Sequence, residues 1–172
     1  YDKATKKIVY IFNSHFDLDE TNRQQSYYLI RNKIKEIAST SSPVIIMGDL
    51  NAGQTGETYK LFNNSTDLYD CYVKAKQRFM TNGTNSGFNA KNFKHDNGDM
   101  TRIDHIFVTR VFNISAFAVL NPCYYSTDGT ADYHLKAYSD HNPVIAKLSY
   151  KTTVPSVELS TTPPPVVNGV YQ

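Results

Sequence analysis

In the stretch VIIMGDLN, Val44 to Asn51, four apolar residues and a glycine deliver Asp49 and Asn51, two positions apart. In an extended strand these two side chains share a face. A carboxylate there can orient or deprotonate a water, and an amide can hydrogen-bond a phosphate oxygen without adding repulsion. Gly-Asp-x-Asn is also good turn chemistry, so a plain turn competes with the catalytic reading. Far along the chain, Ser139-Asp140-His141-Asn142-Pro143 precedes another apolar run. Asp140 is a hard oxygen ligand suited to Mg²⁺ or Mn²⁺, and His141 offers a cation or donor to a phosphate. A loop closed by Pro143, with no function, is the alternative.

Two further pieces complete the set. In RIDHIF, Asp104 lies in an apolar strand, between Ile103 and the pair His105 and Ile106. An ionised carboxylate is costly to bury unless it is paired. His141 is the candidate partner, because an aspartate that orients an imidazole and raises its pKa is a recurrent catalytic device. Pairing with Arg102, or capping of a loop, would be structural instead. In FNSHFD, His15 closes an apolar strand and Asp17 follows two residues later. A histidine so placed can bind a phosphate oxygen or protonate a leaving group, though a purely structural histidine is the simpler reading.

These residues need elements to position them. Lys7–His15 reads as a strand. Asp19 to Asn22 is polar and suits a helix start. Tyr27, Ile30, Ile34, Ile37 and Ala38 recur at three- and four-residue spacings, which predicts an amphipathic helix of about four turns. Val44 onward is a second strand, so strand, helix and strand follow one another as in a βαβ-like unit. TGETYKLFNN and STDLYDCYVKAKQ each suggest a short helix. Asn82–Asp99 is rich in Gly and Asn and reads as a long loop of the kind that often carries function. RIDHIFVT, NISAFAVLN and PVIAKLSY read as strands, and STDGTADYHLKAY as another polar loop. The globular part is expected to span 1–150, with a Thr/Pro-rich tail or linker over 151–172.

The bulk properties fit one domain of 172 residues that is 40% hydrophobic, 20% charged and carries a net charge of +2. That charge is too small to argue for nucleic acid by itself. No apolar run is long enough for a transmembrane helix. Cys71 and Cys123 offer one disulfide or two free thiols. Asn64, Asn82 and Asn113 each begin an N-x-[ST] triplet. With the low-charge Thr/Pro tail they favour a secreted or cell-surface protein over a cytoplasmic one.

In this order and combination, GDLN, RIDHIFV and SDHNPV make the chain closely resemble the endonuclease/exonuclease/phosphatase superfamily over about Lys7 to Tyr150. The resemblance implies an α/β fold, the carboxyl-terminal half of a four-layer α/β/β/α sandwich with two mostly antiparallel or mixed β-sheets. It implies a metal-dependent phosphodiesterase, with a nuclease expected first. The match to Asp49 activates the attacking water. Asn51 holds the phosphate and that water, Asp140 is a metal ligand for Mg²⁺ or Mn²⁺, and His141 contacts the phosphate with Asp104 orienting it. His15 binds the phosphate or aids the leaving group. Asp17 is a looser match with no firm role, and Arg23 and Gln25 are packing or helix-start residues.

The family's amino-terminal half, with a glutamate that is a principal metal ligand, has no counterpart here. The chain is therefore expected to be the carboxyl-terminal part of a longer protein, completed by the rest in the same or another chain. Lys91, Lys94, His95 and Arg102 are candidates for a cluster that binds nucleic acid beside the site. A sphingomyelinase or phosphatase of the same superfamily, or an inactive member serving as an extracellular structural or adhesive module, are the alternatives.

Overall fold

The computed structural model describes residues 1–80, 82–88, 102–127 and 133–152, with the backbone of residues 166–167 and 170–171. The first unit is the expected strand–helix–strand. Strand β1 (Tyr10–Asn13) runs parallel to β2 (Val44–Asp49), and helix α1 (Glu20–Ile37) connects them. Asp19 caps α1 by accepting from the Asn22 backbone N–H at 3.0 Å, which satisfies one of the donors a helix start leaves open. Tyr27, Ile30, Ile34 and Ala38 pack inward as the spacing predicts. Ile37 does not: it is exposed at the last position of the helix. β1 is also shorter than predicted. Lys7 turns back to bridge Asp2, and beyond Asn13 two more backbone bonds tie the chain to β2, Ser14 N–H to the Met47 carbonyl and Phe16 N–H to the Asp49 carbonyl.

Helix α2 (Glu57–Asn63) follows as expected. The next predicted helix is mostly absent. Leu68–Asp70 forms strand β3, only Cys71–Lys74 is helical (α3), and Gln77–Phe79 is strand β4. Asp70 ends β3 and caps α3, accepting from the Tyr72 N–H at 2.8 Å. Pairing of β3 with β5 (Asp104–Thr109) overrides the local helix pattern. The first sheet has the order β1-β2-β5-β3, with β5 antiparallel to both neighbours. A second sheet holds β4, β6 (Phe112–Val119) and β9 (Val144–Tyr150) in the order β4-β6-β9.

Two cores explain the stacking. Ile34 of α1, Tyr59 and Phe62 of α2, and Val44, Ile46 and Phe107 of the first sheet form one cluster. Ile106 and Val108, on the opposite face of β5, pack with Phe112, Ile114, Phe117 and Val119 of β6 in the other. The layers run helix, sheet, sheet, in a mixed α/β architecture. The helical layer expected outside the second sheet is not among the described elements.

The polar stretch after β6 is not wholly a loop. Strands β7 (Cys123–Thr127) and β8 (Tyr133–Ala137) pair antiparallel as an exposed ribbon, which hides the hydrophobic signal that would mark a strand. Near the carboxyl end, β10 (Val166–Val167) and β11 (Val170–Tyr171) pair antiparallel. Cys71 is buried, Cys123 is exposed, and both are free thiols, so the candidate disulfide is not formed. Asn64 and Asn113 are exposed, whereas Asn82 is half-buried. No described helix is long and apolar enough to cross a membrane.

Candidate active site

Register sets the site. β2 and β5 are antiparallel neighbours in which Asp49 stands directly opposite Asp104. Like charges so placed repel, so the pair needs a positive partner. His141, arriving on the loop before β9, supplies one. Its Nδ1 lies 2.7 Å from Asp104 Oδ2 and its Nε2 lies 3.7 Å from Asp49 Oδ2. The Nε2 of His15, just past β1, reaches the same Asp49 oxygen at 3.4 Å, and its side chain is 75% exposed. Asn13, Ser14, His15, Gly48, Asp49, Asp104, Asp140 and His141 line one open cavity of about 460 Å³.

Backbone bonds hold these residues together. Gly48 has φ +133°, and a Cβ there would sit 1.9 Å from the Ser14 carbonyl oxygen. Only glycine lets β1 come this close, and this approach brings His15 to Asp49. Residues 83–87 clip the loop of His141. Ser86 and Gly87 donate backbone N–H groups to the Asp140 carbonyl at 2.6 and 3.0 Å, and the Asn142 N–H donates to the Thr84 carbonyl at 2.6 Å. The buried Thr84 hydroxyl accepts from the Ile103 and Asp104 N–H groups at 3.0 Å each. A residue that reads from sequence as the end of a glycosylation triplet is thus a bracket for Asp104.

The electrostatics follow from burial and pairing. Burial raises the Asp104 pKa above the ordinary carboxylate value, against hydrogen bonds from Thr84 and His141 that favour its charge. Burial pulls the His141 pKa down. The hydrogen bond and charge of Asp104, with Asp49 and Asp140 nearby, outweigh it and leave His141 above the ordinary histidine value.

Asn51 departs from the expected placement. β2 ends at Asp49, and Asn51 takes a left-handed φ of +47°. The two-residue periodicity of a strand no longer applies. Its side chain is buried, its Nδ2 donates to the Phe16 carbonyl at 2.8 Å, and it is not among the residues lining the cavity. Asp17 caps the turn into α1, accepting from the Asp19 N–H and from Asn22 Nδ2, both at 3.0 Å. Arg23 is a helix-start residue, held by Glu20 and by the Leu18 carbonyl. Arg102 is no part of a surface cluster: it is 1% exposed and paired with Asp70 at 3.4 Å. Lys91, Lys94 and His95 lie outside the described residues.

Among the described residues, Asp49, Asp104 and His141 are the group whose possible ligand atoms converge, all within 4.8 Å of one another. Two carboxylates suit a hard divalent cation. His141 fits less well, because its Nδ1 is engaged by Asp104. Asp140 lines the same cavity but is not in that group. Asn13, Ser14 and Thr84 are site residues that the sequence reading passed over. Asn13 and Ser14 carry a signal, since they immediately precede His15.

Residues 2–141 match the model of the Endonuclease/Exonuclease/phosphatase family. The chain is 34% identical to an endonuclease/exonuclease/phosphatase family protein of Bacteroides thetaiotaomicron, covering 83% of this chain and 50% of that one, with a TM-score of 0.74. It is also 34% identical to a mannosyl-6-phosphatase of Bacteroides thetaiotaomicron, over 81% of this chain and 51% of that one, with a TM-score of 0.73. An uncharacterised protein of Acanthamoeba polyphaga mimivirus is 27% identical over 84% of this chain and 50% of its own length. The chain therefore spans about half the length of these relatives.

Proposed function

The chain belongs to the endonuclease/exonuclease/phosphatase family, and from that premise we propose that it carries the water-activating and phosphate-binding residues of a divalent-metal-dependent phosphoester hydrolase. One observation carries the reading: two carboxylates, opposed in register on adjoining strands, share a histidine in an open cavity. Asp49 orients the attacking water and accepts its proton. His141, fixed through Nδ1 by Asp104, presents Nε2 to a phosphate oxygen, where its raised pKa keeps a proton available to neutralise developing charge. His15, exposed beside Asp49, binds a second phosphate oxygen or donates to the leaving oxygen. Asn51 holds the turn that carries Asp49. Mg²⁺ or Mn²⁺, held by Asp140 with Asp49, would stabilise charge on the phosphate and leaving group. Water attacks phosphorus directly, with no covalent enzyme intermediate.

Within this class, a nuclease is the reading from the motifs, and a phosphomonoesterase acting on a small sugar phosphate is favoured by the 34% identity to the mannosyl-6-phosphatase. Removal of Arg102 from the surface weakens the nucleic-acid case. The deciding assay follows hydrolysis of plasmid DNA, sphingomyelin, a nitrophenyl phosphodiester and mannose 6-phosphate, with and without Mg²⁺, by the full-length protein and its His141→Ala variant. The variant is expected to lose at least about a hundredfold in kcat, within the usual range for general acid–base groups. Equal turnover by wild type and variant removes the catalytic reading. No metal-dependent turnover of any substrate by the wild type leaves the inactive extracellular module. Secretion is part of the same proposal, supported by the exposed Asn64 and Asn113, and an enzymatic deglycosylation shift on the natural protein tests it.

A further inference from the structure

Behind the site lies a second polar cluster that the proposed chemistry does not use. His105 is adjacent to Asp104 in β5 and, by strand alternation, faces the other way. It is fully buried, and Arg102, Asp70 and Tyr59 beside it are buried too. Buried polar groups of this size persist only when paired, and these are. Tyr59 donates its hydroxyl to Asp70 Oδ2 at 2.6 Å, and Arg102 Nη1 reaches the same oxygen at 3.4 Å. The Arg102 guanidinium also stacks over the Tyr72 ring, 4.1 Å from its centroid. Arg102 Nη1 lies 3.0 Å from His105 Nδ1, and His105 Nε2 lies 2.7 Å from the Ala52 carbonyl oxygen.

The chemistry of the partners fixes the imidazole. A guanidinium can only donate, so His105 Nδ1 accepts and bears no proton. A carbonyl can only accept, so Nε2 carries the proton and donates it to Ala52. One neutral tautomer satisfies both neighbours. Ala52 directly follows Asn51, the residue held at a φ of +47°, and such strained positions persist where the surroundings over-determine them. The turn is also restrained by bonds from Phe16 N–H to the Asp49 carbonyl at 2.9 Å, from Asn51 Nδ2 to the Phe16 carbonyl at 2.8 Å, from Leu50 N–H to the Ile103 carbonyl at 2.9 Å and from Asn51 N–H to Asp49 Oδ1 at 2.8 Å. The last of these sets the rotation of the Asp49 carboxylate itself.

We propose that His105 is a positioning residue for Asp49: its Nε2–H anchors the Ala52 carbonyl, and Arg102, Asp70 and Tyr59 lock it in the tautomer that can do so. β5 thereby serves the site from both faces, Asp104 aiming His141 and His105 aiming the turn that bears Asp49. The inference rests on the hydrolase reading for its effect on rate, but its structural half stands apart from activity.

Two measurements keep these separate. In ¹⁵N NMR of the full-length wild-type protein, His105 is expected to show a non-protonated Nδ1 and a protonated Nε2; the reverse assignment, or a doubly protonated ring, overturns the proposal whatever the activity. In the full-length protein, His105→Leu removes the donor and His105→Gln keeps an amide N–H able to reach Ala52. The Leu variant is expected to lose about 10–100-fold in kcat with KM changed less than about twofold, as for a small misplacement of a reacting group, and the Gln variant to regain most of it. A folded Leu variant with wild-type kcat, or a Gln variant as impaired as Leu, sinks the positioning role. Should the Leu variant fail to fold, the tautomer and the Gln variant decide. A wild type without turnover defeats the hydrolase reading, while the NMR result still stands or falls alone.

Discussion

Strand β5 carries Asp104 toward an open cavity and His105 into a sealed polar cluster, and each side sets a histidine among charged partners. On the open side, His141 keeps 27% of its side chain exposed and is pushed toward its charged form by Asp104. On the closed side, Arg102 and Asp70 are sealed at 1% and 0% side-chain exposure, and His105 is held neutral between a donor and an acceptor. The same residue types do different work because solvent access differs. Water lets the open histidine take up and release a proton, as the proposed hydrolase role would use. Exclusion of water locks the closed one into a single tautomer, which suits a strut.

That contrast can be broken by removing one partner from each pair. Asp70→Ala strands a buried guanidinium, and the loss should be about 3–5 kcal/mol, read as a lower urea midpoint. Gly48→Ala comes next. It forces β1 away from β2 and meets a backbone oxygen, at an expected cost of about 1–3 kcal/mol and with His15 displaced from Asp49. Asp104→Asn should cost less than Asp70→Ala, because water can solvate what remains; equal losses from the two would erase the distinction between open and sealed sides.

Asp104→Asn should instead show itself in titration. Losing the carboxylate leaves burial as the main influence, so the His141 pKa should fall from its raised wild-type position, measurable by NMR. The sign for stability follows. A histidine whose pKa is higher in the folded state stabilises fully below its unfolded value, near 6.5, and the contribution fades as pH rises through the raised value. Wild-type stability should therefore drop over that window, and Asp104→Asn should flatten the drop. The smallest effect belongs to a fully surface pair: Lys33→Ala, which breaks the 2.7 Å contact with Glu36, should change stability by less than about 0.5 kcal/mol. A larger change would show that exposure is not what separates these ion pairs.

Periodicity and motif order were enough to predict the strand–helix–strand start, the strands around Asp104 and Val144, and the pairing of Asp104 with His141. These are decided locally or by chemistry: helical spacing exposes one apolar face, and a carboxylate in an apolar strand demands a cation or donor. The β3 segment was not legible, because pairing with β5 outweighs a weak helical pattern. Nor was the β7–β8 ribbon, whose exposed strands lack the apolar alternation that marks a buried one. Asn51 was misplaced by two-residue counting, since a left-handed turn begins where β2 stops. Arg102 read as a surface cation and proved to be the buried partner of Asp70.

The sequence by itself determined which groups were available and roughly where strands and helices would carry them. Tertiary structure alone decided that Asp49 faces Asp104 across two strands, that residues 83–87 clip the His141 loop, and that His105 Nε2 meets the Ala52 carbonyl in the turn after Asp49. The reason is physical: register, burial and the tautomer of a ring depend on neighbours distant in the chain, and no local spacing encodes them.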